Sequence, residues 1–231
     1  MAVAFFDVDG TLLRLKSMVS FYYFYVEKVC LTRSERLEKI HAFREYVSTN
    51  KELPRAALNA WYYQLFEGES IQLLECVAAQ WCKTLTEYDW LDEPLEYLKQ
   101  HKAAGNQVVM VSGSADFILS PLVRMLEVDD LLAAPVEVVD GMLTGRLIGP
   151  PMIGLQKMVA VRDWLSERDI DPAICYGYGD HITDVEMLDY LGNSSLVNPS
   201  SELENLGREK GWAICKDSLS TIMFQKASQL C

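Results

Sequence analysis

Two aspartates one residue apart, Asp7 and Asp9, end the apolar run that opens "VAFFDVDGTLL". Side chains two apart on an extended strand point the same way, so both carboxylates can address one small volume, and their repulsion asks for a shared cation. Two further carboxylates, Asp180 and Asp184 in "GYGDHITD", follow a later β-rich run and can join them. Hard oxygen ligands with few thiolates or imidazoles suit Mg²⁺, which takes one or two carboxylates, keeps waters and accepts a phosphate oxygen. After "VVMV" comes Ser112-Gly113-Ser114, a turn whose hydroxyl and backbone N–H groups can hold phosphate oxygens, and Lys157 stands near an expected helix start. Carboxylate nucleophile, metal, phosphate cradle and neutralising lysine together describe phosphoryl transfer through an aspartyl-phosphate. Each part has an ordinary alternative. A Ser-Gly pair also ends strands, Lys157 competes with Arg146 and Arg162, and Asp180 or Asp184 can cap the helix of "DVEMLDYL".

Such groups work together only if several strand ends converge. From Asp92 onward short β-rich runs ("QVVMVSG", "PVEVV", "AICYGYGD", "SSLVNP", "WAIC") alternate with helical patterns over 94–104, 117–126, 155–168 and 184–191. That alternation predicts α/β architecture, a doubly wound parallel sheet with helices on both faces, and "VAFFD" belongs to it as the first strand. Ligands of such sheets bind outside the strands' carboxyl ends, where the aspartates and the Ser-Gly turn fall. Between the first strand and Asp92 the texture is helical: "SERLEKIHAFREYVS", "PRAALNAWYYQLF" and "ESIQLLECVAAQWCKTL" carry apolar residues at three- and four-residue spacing. Ser34 and Ser70 suit N-caps, and Pro54 suits a first helical turn. The expected division is a catalytic core of 1–14 plus 92–231, with an inserted helical-bundle cap of 15–91. "MVSFYYFYV" (18–26) is too short to span a bilayer and reads as a helix buried on more than one side.

The chain has 231 residues, half of them hydrophobic, enough for a substantial core. A formal charge of −12 argues against nucleic acid or an anionic membrane as partner. The six cysteines (Cys30, Cys76, Cys82, Cys175, Cys215, Cys231) contain no C-x-x-C pair and read as buried thiols of a reducing compartment. Asp7 and Asp9 interrupt the apolar start, so no signal peptide and a cytoplasmic location are expected.

"DVDGT", "VVMVSGS", "DGMLTGRLIGPPMIGLQK" and "GYGDHITDVEML" resemble, in order and separation, the four motifs of the haloacid dehalogenase superfamily, in its phosphoserine-phosphatase-like branch. That branch carries a helical-bundle cap between its first two motifs. "VVDGMLTGRLIG" looks like its paired short strands before the motif lysine. The resemblance implies a Mg²⁺-dependent phosphatase acting on a small-molecule phosphate ester, working as a monomer or homodimer. Asp7 is then the nucleophile, and Asp9 the acid that protonates the leaving alkoxide and the base that activates water. Mg²⁺ is held by Asp7, the Asp9 carbonyl and Asp180, with Asp184 orienting metal-bound water or Lys157. Ser112, the Gly113 N–H and Lys157 grip the phosphoryl group. Thr183 stands where phosphoserine phosphatases carry a phosphate-contacting Asn, and His181 is expected at the solvent edge or behind the ligands. Arg55, Asn59, Tyr62 and Tyr63 fall on a cap helix, one turn of which can face the pocket. Lys16 replaces the acidic residue with which that family binds the substrate ammonium, which makes free phosphoserine a poor substrate and favours a neutral or anionic leaving group. A receiver-type signalling domain shares some of these parts but is about half as long, and a non-catalytic phosphate-binding module lacks a use for the acid–base pair.

Overall fold

An uninterrupted apolar run suits a strand buried on both faces. In the computed structural model, which describes residues 1–216, Val3–Asp7 forms that strand, β1, and every residue of it is buried. Alternation divides its side chains: Ala4 and Phe6 enter one hydrophobic cluster, Val3 and Phe5 another on the opposite face.

Helices follow at once: α1 (Ser17–Val29), α2 (Arg33–Thr49), α3 (Arg55–Gln64), α4 (Ile71–Cys82) and α5 (Asp92–Ala103). The chain then re-enters the sheet as β2 (Gln107–Ala115), followed by α6 (Asp116–Leu126) and β3 (Asp130–Ala134). A two-stranded antiparallel flap, β4 (Val136–Val139) and β5 (Met142–Leu147), leads to α7 (Leu155–Ser166). The remainder is β6 (Tyr176–Gly179), α8 (Val185–Tyr190), β7 (Asn193–Val197), α9 (Ser201–Glu209) and β8 (Ala213–Cys215). The main sheet runs β3-β2-β1-β6-β7-β8 with every pair parallel. The chain lays strands outward on one side of β1, then crosses to the other, so the switch point lies at the carboxyl end of β1.

The apolar segment at 18–26 lies within α1, which buries Phe21, Tyr22, Tyr25 and Val26. Phe21 meets Phe66, Trp81 and Phe117, so the inserted helices share one aromatic cluster with α6. Burial of each such ring is worth about 1.5–3 kcal/mol. Among the described residues no helix is long and apolar enough to cross a membrane.

Several local expectations change. Thr32, not Ser34, caps α2, its hydroxyl accepting the Glu35 N–H, because the helix begins at Arg33. Pro54 sits at the N-cap of α3 instead of inside its first turn, its carbonyl accepting from Ala57 and Leu58. Ser70 occupies the N-cap of α4 without a side-chain hydrogen bond. "PVEVV" lies in the flap, not in the parallel sheet, and β3 and α9 were not anticipated. Cys30, Cys82, Cys175 and Cys215 are buried, Cys76 is exposed, and Cys231 lies outside the described residues.

Candidate active site

Three strand ends meet at the switch point. Asp7 is the last residue of β1, Ser112 and Gly113 lie near the end of β2, and Asp180 follows β6. α7 brings Lys157 in from below: its ammonium lies 2.5 Å from Asp7 Oδ1 and 2.7 Å from Asp184 Oδ1. Arg162, exposed, pairs with Asp163 instead, and Arg146 is exposed as well, so Lys157 is the cation delivered to the aspartates. Thr11 donates its hydroxyl to the other Asp7 oxygen at 3.2 Å. Asp184 occupies the N-cap of α8 without a side-chain hydrogen bond to that helix; its second oxygen instead accepts the His181 N–H at 3.1 Å and closes the short turn before it. Carboxylate oxygens of Asp7, Asp180 and Asp184 all lie within 4.8 Å of one another. The approach of the first loop to Asp180 requires glycine at 10: its φ is +102°, and a Cβ there would stand 2.1 Å from Asp180 Oδ2.

Asp9 turns its carboxylate to the start of α1, accepting the Ser17 N–H at 3.0 Å. Its carbonyl accepts from Lys16 Nζ at 2.6 Å, and that ammonium is also 3.7 Å from Asp180 Oδ2. Lys16 therefore reaches the site as a second cation, with nearly half its side chain exposed.

Electrostatics follow from this crowding. Burial pushes the Asp7 carboxyl up, but Lys157 overrides it and holds Asp7 below the usual carboxylate range. Asp9 is raised to about 6, chiefly by burial, with Ser17 opposing. Asp180 is raised to about 7 by burial and the neighbouring Asp7 charge, and burial also raises Asp184 against the pull of Lys157. Burial disfavours charge on Lys157, yet Asp184 and Asp7 outweigh it and keep its pKa above the ordinary lysine value. Three carboxylates held this closely, two with raised pKa values, form a hard-oxygen site short of positive charge, and the donor set fits a small divalent cation.

Asp7, Asp9, Ser112, Gly113, Lys157, Asp180, Thr183, Asp184 and Arg55 all line one polar cavity of about 60 Å³. Arg55 crosses from α3 to donate to the Thr183 hydroxyl at 3.4 Å. Half-buried His181 accepts the Thr183 N–H on Nδ1 at 3.2 Å, and burial, with Arg55 and Lys16 nearby, lowers its pKa to about 4. Asn59 Nδ2 and the Tyr63 hydroxyl both donate to the Gly113 carbonyl, at 2.8 and 2.7 Å. Tyr62 instead donates to the Met18 carbonyl at 2.6 Å. The inserted helices are thereby tied to the backbone of the Ser-Gly turn. The sequence does not single out Thr11 or Ser17, and it offers Ser114 only as part of the Ser-Gly turn. Ser17 and Ser114 share a buried 2.6 Å hydroxyl contact that joins α1 to β2. Their only signal was proximity to the motifs.

The model of the haloacid dehalogenase-like hydrolases matches residues 4–189. Phosphoserine phosphatase SerB1 of Mycobacterium tuberculosis is 30% identical over 216 residues, covering 92% of this chain and 70% of that protein. A crystal structure of a protein with unknown function from Bordetella pertussis Tohama I superposes with a TM-score of 0.81 at 24% identity, covering 93% of this chain and 97% of that one. A phospho-aspartyl intermediate analogue of phosphoserine phosphatase superposes with a TM-score of 0.64 at 19% identity, over 97% of this chain and 98% of that one.

Proposed function

The chain belongs to the haloacid dehalogenase-like hydrolases and is a phosphatase of their phosphoserine-phosphatase-like branch; from that premise we propose that it hydrolyses a small phosphomonoester in two steps through Asp7. The observation that carries this reading is the pairing of Lys157 with both Asp7 and Asp184 in the cavity that also holds Ser112, Gly113, Asp9 and Asp180. Nucleophile, proton carrier, cation ligands and phosphate donors thus share one small volume.

In the first step an oxygen of Asp7 bonds the phosphorus as the ester P–O bond breaks. Lys157 and the Ser112 hydroxyl neutralise and hold the phosphoryl oxygens. Asp9, oriented by the Ser17 N–H, delivers its proton to the departing alkoxide. In the second step the same carboxylate takes a proton from water, which attacks the phosphorus and releases phosphate and free Asp7. Asp7, Asp180 and Asp184 would hold Mg²⁺, joined by the Asp9 carbonyl once Lys16 turns away from it, and the ion would supply charge neutralisation and alignment of the phosphate. Residues 15–91 act as the cap that admits the ester and excludes bulk water, with 1–14 and 92 onward as the core. An intact phosphoprotein is too large for this enclosure. The charge of −12 supports a mobile small molecule over nucleic acid or membrane as partner, and thiols without pairing motifs support a cytoplasmic setting.

Purified protein is expected to release phosphate from 4-nitrophenyl phosphate, with EDTA abolishing the activity and Mg²⁺ restoring it. Asp7→Asn is expected to lower kcat by more than about a thousandfold, and Asp9→Asn by about a hundred- to ten-thousandfold. Absence of metal-dependent release across a broad ester panel, or near-normal turnover by Asp7→Asn, overturns the assignment.

A further inference from the structure

A second cavity adjoins the polar one. Asp9, Met18, Arg55, Asn59 and Ile153 line both, and the second, of about 210 Å³, lies between α1, α2 and α3. Beyond that shared neck its wall is formed by Val19, Phe43, Val47, Leu58, Trp61 and Tyr62. Among the described residues Asp9 is the only acidic one lining it, and Lys16 and Arg55 line it too. A chamber of this chemistry gains from apolar surface, whereas a substrate ammonium meets two like charges and no anion other than Asp9. The neck holds one more clue. Asn59 is 5% exposed, and because the Gly113 carbonyl can only accept, the amide nitrogen must face it. Asn59 Oδ1 is left buried without a hydrogen-bond partner. Asn59 lines both cavities, and a buried acceptor without a partner is a group that a ligand's O–H can satisfy once the amide opens to it.

Resting on the phosphatase reading above, we propose that the substrate is the phosphate monoester of an apolar alcohol bearing a neutral hydroxyl beside the ester oxygen. The phosphate enters the polar cavity, the hydroxyl donates to Asn59 Oδ1, and the hydrocarbon body fills the chamber. The chemistry is unchanged: the ester P–O bond breaks, the P–O bond to Asp7 forms, and the alkoxide leaves as a diol with the Asp9 proton. Water then returns Asp7 and inorganic phosphate.

The experiment compares kcat/KM of the Mg²⁺-loaded enzyme for 2-hydroxyethyl, 2-hydroxybutyl and 2-hydroxyhexyl phosphate, with hexyl phosphate, L-phosphoserine and 4-nitrophenyl phosphate alongside. Each added methylene is expected to raise kcat/KM by up to about fourfold. The hydroxyl is expected to favour 2-hydroxyhexyl over hexyl phosphate by about two- to tenfold, and phosphoserine should rank last. Val47→Asp, at the exposed rim of the chamber, should flatten the chain-length gradient. Calorimetric binding of methyl- and hexylphosphonate, which have no ester bond to cleave, reads the same preference without turnover. A flat series, equal phosphonate affinities or phosphoserine as the best ester overturns the proposal and leaves the phosphatase reading standing. No metal-dependent hydrolysis of any ester, 4-nitrophenyl phosphate included, overturns both.

Discussion

Lys157 separates two carboxylates that would repel each other at close range, and its own burial makes the arrangement costly to break. With its side chain 5% exposed, those of Asp7 and Asp184 are 8% and 1% exposed. Removing one partner of such a buried set leaves uncompensated charge, which costs about 3–5 kcal/mol. Lys157→Met is therefore expected to lose stability on that scale in urea titrations with EDTA present, and to recover part of it when Mg²⁺ supplies a replacement cation. Equal stability of variant and wild type in EDTA would show that the ammonium is dispensable to the fold. Lys16 differs: nearly half its side chain is exposed, so its attraction to Asp180 is screened and it can turn aside for a ligand. The aspartates were readable at this scale because their spacing fixes their direction along a strand. Thr11 and Ser17 were not, because their contribution depends on how the loop after Asp9 folds back, with Leu12 and Leu13 N–H groups returning to the Val8 carbonyl.

At the scale of elements, α3 has two duties. Its Tyr62, with Phe66 in the turn just beyond its end, enters the aromatic cluster, while Asn59 and Tyr63 reach the Gly113 carbonyl near the end of β2. Tyr63→Phe keeps the ring and removes one buried hydrogen bond, while Asn59 still serves the carbonyl. The expected cost is about 1 kcal/mol, a fall in Tm of about 2–4 °C for a chain of this size, with faster amide exchange in α3. An unchanged Tm would mean that the hydroxyl contact does not hold the helix in place. Elements of this kind were legible where apolar patterning was strong: β1 and β2 carry apolar runs, and α1 and α4 bury wide faces. The failures have physical causes. β3, "DLLAA", is short, lies at the sheet edge and lacks β-branched residues. α9 buries only Leu203 and Gly207, and its nine mostly polar residues make a short helix whose apolar face is easily passed over. "PVEVV" has strand composition, but composition carries no information about which sheet a strand joins, and its half-exposed residues suit a flap.

For the whole molecule, the switch point works only if the sheet and the helices covering it stay in register, and His101 is a measure of that packing. It lies on α5, 9% exposed, with its ring centroid 4.5 Å from that of Tyr176 and 6.2 Å from that of Phe6. Its Nδ1 meets the Asn106 amide nitrogen at 3.1 Å and its Nε2 meets the Tyr178 hydroxyl at 2.8 Å, which suits a neutral ring accepting at one nitrogen and donating at the other. Burial lowers its pKa from the ordinary 6.5. In the unfolded chain the imidazole takes up a proton as pH falls through about 6.5, whereas in the folded state it resists until a lower pH. The unfolded state then binds more protons, so stability contributed by the neutral ring is full above the ordinary value and falls as pH drops toward the folded one. His181, lowered to about 4, acts in the same direction from the active site. Asp9 and Asp180, whose carboxyls are raised to about 6 and about 7, act the other way between pH 7 and pH 5, so the expected readout is a difference: in urea unfolding His101→Gln starts less stable than wild type at pH 7 and the gap narrows toward pH 5. Parallel slopes for the two proteins would mean that His101 titrates alike in the folded and unfolded states, and that the contact between α5 and the sheet is polar and open instead of the dry layer behind β1 and β6.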